Sequence, residues 1–101
     1  MKIRAIIKRP DEPVGHVTNI SNTLENLQRT VDGYIETVRI GPKTVMILNE
    51  EGKLTGLEPN FKIGMETIVG TVIVVGEDGD EFTDCPITLK EWKEALKEWG
   101  N

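Results

Sequence analysis

The sequence predicts an α+β domain: a mixed, mainly antiparallel sheet with one short internal helix and one C-terminal amphipathic helix. Three features lead there. Residues 2–8 alternate, with Lys2, Arg4 and Lys8 on one side and Ile3, Ala5 and Ile7 on the other, the period of a half-buried strand. Runs of β-branched residues separated by Gly, Pro and Asn fill the middle of the chain. Near the end Leu89, Trp92, Leu96 and Trp99 recur at helical spacing behind Thr88 and Glu91, which have the form of a capping box.

In order, the first strand breaks at Pro10 and Pro13, because proline removes a backbone donor, and Val14–Ile20 returns as a short second strand with Gly15 at its start. Asn22 stands as N-cap of a helix over Thr23–Val31, with Glu25 three residues on and Leu24, Leu27 and Val31 on one face. Gly33 ends it, and Tyr34–Ile40 resumes β-type composition. Gly41 and Pro42 turn the chain into Thr44–Leu48, apolar enough to be a central strand. Asn49–Lys53 reads as the turn of a hairpin whose second strand is Leu54–Leu57, which Pro59 and Asn60 end. A loop containing Phe61, Ile63 and Gly64 then leads to one long strand, Thr67–Val75, with a bulge at Gly70. An acidic turn, Glu77–Glu81, precedes Phe82 and Cys85-Pro86. In the last helix Ile87 and Trp92 form a hydrophobic staple, Gly100 is the stop, and both tryptophans pack on the sheet.

With 101 residues, 38% hydrophobic, the chain builds one modest core and hence a single domain, 1–101; five aromatics make that core mostly aliphatic. The longest apolar run, Ile68–Val75, is too short to span a bilayer, and no leader pattern follows Met1, so a cytoplasmic protein without membrane contact is expected. A lone Cys85 cannot close an internal disulfide and follows acids that give it no cation to activate the thiol. The net charge of −5 argues against direct binding to nucleic acid.

Catalytic patterns are missing. The chain has one His16, one Cys85 and one Ser21, far apart in sequence, with no phosphate-binding loop and no dinucleotide fingerprint. One Cys and one His cannot complete a zinc site, and the five carboxylates of Glu77–Asp84 lack the spacing of a calcium loop. No catalytic residue, cofactor or metal is therefore expected. Lys2, Arg4 and Lys8 form the only cationic row, which makes Arg4 a candidate contact for a small anion. Asn60 after Pro59 is not required by turn chemistry, and with Tyr34, Asn49 and Glu50 it forms a candidate polar recognition cluster.

Several strings bear on kinship: Thr23-Leu24-Glu25-x-Leu27-Gln28, Gly33-Tyr34-Ile35-Glu36, Asn49-Glu50-Glu51-Gly52-Lys53 with Leu57-x-x-Asn60, and Ile68-Val69-Gly70-Thr71. Together they resemble a phage and mobile-element family catalogued as a domain of unknown function, DUF3846. The resemblance covers most of the chain and is most specific at Asn49–Asn60. It implies a small accessory protein of phages, prophages and conjugative elements, with no reaction to carry over. The expectation that follows is a non-catalytic protein acting by stoichiometric binding of a host protein or a small anionic, nucleotide-like ligand. An acidic inhibitor that mimics DNA, using Glu77, Asp78, Asp80, Glu81 and the acids of the last helix, is the alternative from another class, and an unfamiliar small enzyme a third. A homodimer, through an exposed sheet edge or through Trp92 and Trp99, is compatible with each.

Overall fold

Strand β1 (Lys2–Lys8) lies inside the sheet and has apolar side chains on both faces, with Ile3, Ala5 and Ile7 buried on one and Ile6 on the other. The computed structural model describes residues 1–101. β2 (His16–Ser21) follows, then α1 (Leu24–Val31), β3 (Ile35–Gly41), β4 (Thr44–Asn49), β5 (Pro59–Ile63), β6 (Glu66–Val69), β7 (Val72–Asp78), β8 (Glu81–Thr83) and α2 (Leu89–Glu98). The main sheet runs β2-β1-β7-β4-β3, with β8 also paired to β7, and β5 and β6 form a separate hairpin. Every strand pairing is antiparallel.

Three layers result. One sheet face (Ile3, Ala5, Ile7, Ile20, Val45, Ile47, Ile73, Val75) packs against Leu27 and Val31 of α1. The other (Ile6, Met46, Leu48, Val72, Val74) packs against Trp92 and Leu96 of α2 and against Phe61 and Ile68 of the β5–β6 hairpin. This covering of both faces explains why Val72–Val75 and Val45–Leu48 are continuous apolar runs rather than alternating ones. Trp92 has no exposed surface and donates its indole N–H to the Val14 carbonyl at 2.8 Å; Trp99 and Phe61 stack at 6.1 Å beside it. Both tryptophans therefore pack on the core, as their spacing predicts.

The helix ends are built locally. At α2 the capping box is complete: Thr88 Oγ1 accepts from Glu91 N–H at 3.1 Å and Glu91 Oε1 accepts from Thr88 N–H at 2.9 Å. At α1 the cap is Thr23, whose hydroxyl accepts from Asn26 N–H, and not Asn22. Asn22 instead donates to the Phe82 carbonyl at 3.0 Å and ties β8 to the start of the helix.

Three sequence expectations fail between β4 and β7. No strand forms at Leu54–Leu57, where the chain makes successive turns and Leu54 is 86% exposed. β4 is already paired on both edges, to β3 and β7, so no edge is left for a third partner. The expected loop around Phe61 is strand β5, which pairs with β6 through the two-residue turn Gly64-Met65; Gly64 at φ 61° stands first in it, as a type II′ turn demands. The long strand expected at Thr67–Val75 is two strands, broken at Gly70 (φ 75°) where the chain passes from the hairpin layer to the sheet. There its N–H donates to Glu58 O at 2.7 Å, and a Cβ would stand 2.7 Å from Leu57 Cδ1.

Candidate functional site

Of the cationic row on β1 only Lys2 is exposed, while Arg4 and Lys8 are engaged within the protein. Arg4 donates through Nη1 to the carbonyls of Cys85 (2.7 Å) and Ile87 (3.0 Å), and its backbone exchanges bonds with Asp84 Oδ1 and Cys85 N–H. Its hydrogen bonds hold the β8–α2 connection against the sheet. Cys85 is buried beneath it, and burial pushes the thiol above its ordinary range, away from the thiolate form.

The two asparagines of the predicted cluster are also engaged inside the protein. Asn49, at the end of β4, donates from Nδ2 to Val31 O (3.1 Å) and Asp32 O (3.0 Å) and accepts from Glu51 N–H at 2.7 Å. It satisfies the C-terminal carbonyls of α1 that lack helical partners. Asn60 accepts from Lys8 Nζ at 2.5 Å and donates to Lys8 O (2.9 Å) and Gly70 O (2.7 Å). It joins β1, β5 and the break between β6 and β7.

Tyr34 and Glu50 are different, because both side chains are exposed. They lie beside β3, one of the two terminal strands of the sheet, the other being β2. Glu50 N–H donates to Tyr34 O at 2.9 Å, which makes them a hydrogen-bonded pair; by alternation Glu36 and Val38 face β4 in the same way. The N–H and C=O groups of Ile35, Thr37 and Arg39 then point away from β4, along an edge that pairs with no other strand. Beside this edge lies a recess of about 160 Å³ bounded by Glu36, Glu50, Glu51, Lys53, Leu54 and Glu66. Lys53 is paired to Glu66 at 2.6 Å, whereas Glu36, Glu50 and Glu51 enter no ion pair. Leu54 lines this recess with an exposed apolar side chain, and Tyr34 and Val38, just before and within β3, are exposed as well. Sequence patterning does not reveal it, since edge strands and recesses are properties of strand order.

Residues 1–97 match a family described as "Domain of unknown function (DUF3846)". The chain belongs to this family. No curated protein and no solved structure matches it. The DUF3846 match spans all ten elements except the last residue of α2.

In this DUF3846 domain two acids of the Glu77–Asp84 run have partners within the protein, and those of α2 alternate with lysines. Glu77 pairs with Arg39 at 2.8 Å and Asp84 accepts from the Arg4 backbone. On α2, Lys90, Lys93 and Lys97 alternate with Glu91, Glu94 and Glu98. No group of three or more His, Cys, Asp and Glu side chains could hold a metal ion, and no helix is long and apolar enough to cross a membrane. His16 Nδ1 lies 2.7 Å from Glu12 Oε2; burial raises the Glu12 carboxyl, but its hydrogen bonds with His16 and Arg9 outweigh this and hold it below its ordinary range.

Proposed function

We propose that this domain is a non-catalytic cytoplasmic binding protein that takes an extended, basic segment of another protein as an added strand along β3. The observation that carries this is the juxtaposition of the outward N–H and C=O groups of Ile35, Thr37 and Arg39 with the unpaired carboxylates of Glu36, Glu50 and Glu51. Backbone pairing supplies affinity in strand addition, and side chains at alternate positions supply choice of partner. Lys or Arg side chains on the incoming strand meet the carboxylates, while apolar ones lie on Val38, Tyr34 and Leu54. A second copy of the chain would bring the same carboxylates together, so the charge pattern selects a different, basic partner. In the mobile-element setting that the sequence resemblance implies, that partner is a host protein and the contact is stoichiometric.

A peptide alternating Lys and Val tests the reading by NMR titration against its Glu-Val counterpart. The Lys-Val peptide should shift the amides of Ile35, Thr37 and Arg39 and bind more weakly as salt rises. Equal binding of the acidic peptide, or shifts confined to another face, contradicts it.

A further inference from the structure

Lys8 is the most deeply buried charged side chain, 3% exposed, and takes part in no ion pair. Its ammonium has one hydrogen-bonding partner, Asn60 Oδ1, and lies 5.6 Å from the centre of the Phe61 ring. Both contacts suit a cation, and neither neutralises it. The side chain borders a cavity of about 360 Å³ whose other walls include Asp11, Glu12, Pro13, Phe61 and Leu96. Asp11 stands exposed on the turn between β1 and β2 and makes neither an ion pair nor a hydrogen bond through its carboxylate. Lys8 and Asp11, of opposite charge, thus line one cavity more than 4.0 Å apart and do not pair with each other. A ligand with a charge at each end would satisfy both.

We infer that this cavity binds a small zwitterion of amino-acid size, its anionic group on the Lys8 ammonium and its cationic group on the Asp11 carboxylate. The apolar wall of Pro13, Phe61 and Leu96 takes the aliphatic part of the ligand, and the volume is at the lower end of that of small-molecule sites. A purely anionic ligand fits less well, because it would approach Lys8 past two carboxylates. Glu12 is already held by His16 and Arg9, so Asp11 is the group with bonding capacity to spare. The site is separate from the β3 edge and does not depend on it.

The test is a thermal-shift and NMR screen of the common amino acids at millimolar concentration, each compared with its N-acetyl form, which keeps only the negative charge, and its amide, which keeps only the positive one. At least one free amino acid should raise the melting temperature and shift the amides of Lys8, Asp11 and Asn60. Its N-acetyl and amide forms should bind about tenfold more weakly or worse. Lys8→Met should abolish binding, and Asp11→Asn, on the surface and without a structural partner, should reduce the free amino acid to the affinity of its N-acetyl form. If no amino acid perturbs these residues, or if the N-acetyl form binds as tightly as the free one, the inference fails.

Discussion

The Lys8 ammonium donates to Asn60 Oδ1 at 2.5 Å, and the Asn60 amide donates back to the Lys8 carbonyl at 2.9 Å, so one asparagine holds both the head and the backbone of one lysine. Its remaining N–H reaches the Gly70 carbonyl at 2.7 Å. Replacing Asn60 by Ala strands two carbonyls and a buried cation at once. Removing one partner of a buried polar pair costs about 1–3 kcal/mol, and more where a charge is left behind. Asn60→Ala should therefore lose about 3 kcal/mol in urea unfolding. A loss under about 1 kcal/mol would mean that water replaces the amide freely.

Lys8 also sets a pH dependence. Burial lowers its pKa below the ordinary lysine range, an effect that the charges of Glu12 and Asp11 partly offset. Between the folded and unfolded pKa values the native state has released a proton that the unfolded chain still holds, so unfolding free energy rises with pH in that window. Below the folded pKa the full cost of burying the charge remains. Measured against Lys8→Met, the wild-type protein should gain stability as pH climbs through the alkaline range towards 10. A difference that stays flat with pH, or falls, would contradict the burial of Lys8.

Asn49 and Tyr34 should separate sharply, although Asn49 pairs with Ile35, the residue next to Tyr34. Asn49→Ala leaves two carbonyls at the end of α1 and the Glu51 N–H without partners, and should cost about 2 kcal/mol. Tyr34→Ala and Glu50→Gln change exposed side chains and should remain within about 0.5 kcal/mol of wild type. Thermal or urea unfolding of the three variants checks both halves, and a Tyr34 variant as damaged as the Asn49 one would place that ring in the structure rather than on a contact surface.

How much could be read from the sequence follows from where each signal resides. The alternation at Lys2–Lys8, the capping box at Thr88 and the stripe of α2 are local and appear where expected. Asn22 and Thr23 are both acceptable caps by composition, and the choice between them depends on β8, which draws Asn22 to the Phe82 carbonyl. Leu54–Leu57 has the composition of a strand but cannot pair with β4, whose edges β3 and β7 already occupy, because strand order is a tertiary fact. Phe61 and Ile63 do alternate with Asn60 and Lys62, a signal that the preceding proline obscures. Gly70 is visible as an irregularity, yet its consequence, a change of layer, requires Leu57 and Glu58 brought beside it.

The candidate sites divide along the same line. Residue type marked Arg4, Asn49 and Asn60 as unusual, and each makes several buried or part-buried hydrogen bonds that account for it. Tyr34 and Glu50 lie beside a free edge only because β3 is a terminal strand of the sheet, and Lys8 is buried only because the β5–β6 hairpin and α2 cover its face. Neither relationship is encoded in a local pattern.

The measurement that bears most directly on strand addition at β3 is binding of the Lys-Val peptide by Thr37→Pro. Thr37 turns its N–H away from β4, so proline there removes a donor from the open edge while the β3–β4 ladder keeps its own bonds. The variant should unfold in urea close to wild type and bind the peptide at least about tenfold more weakly, the cost of roughly one lost hydrogen bond in the added strand. Unchanged affinity in a folded Thr37→Pro protein would contradict the account.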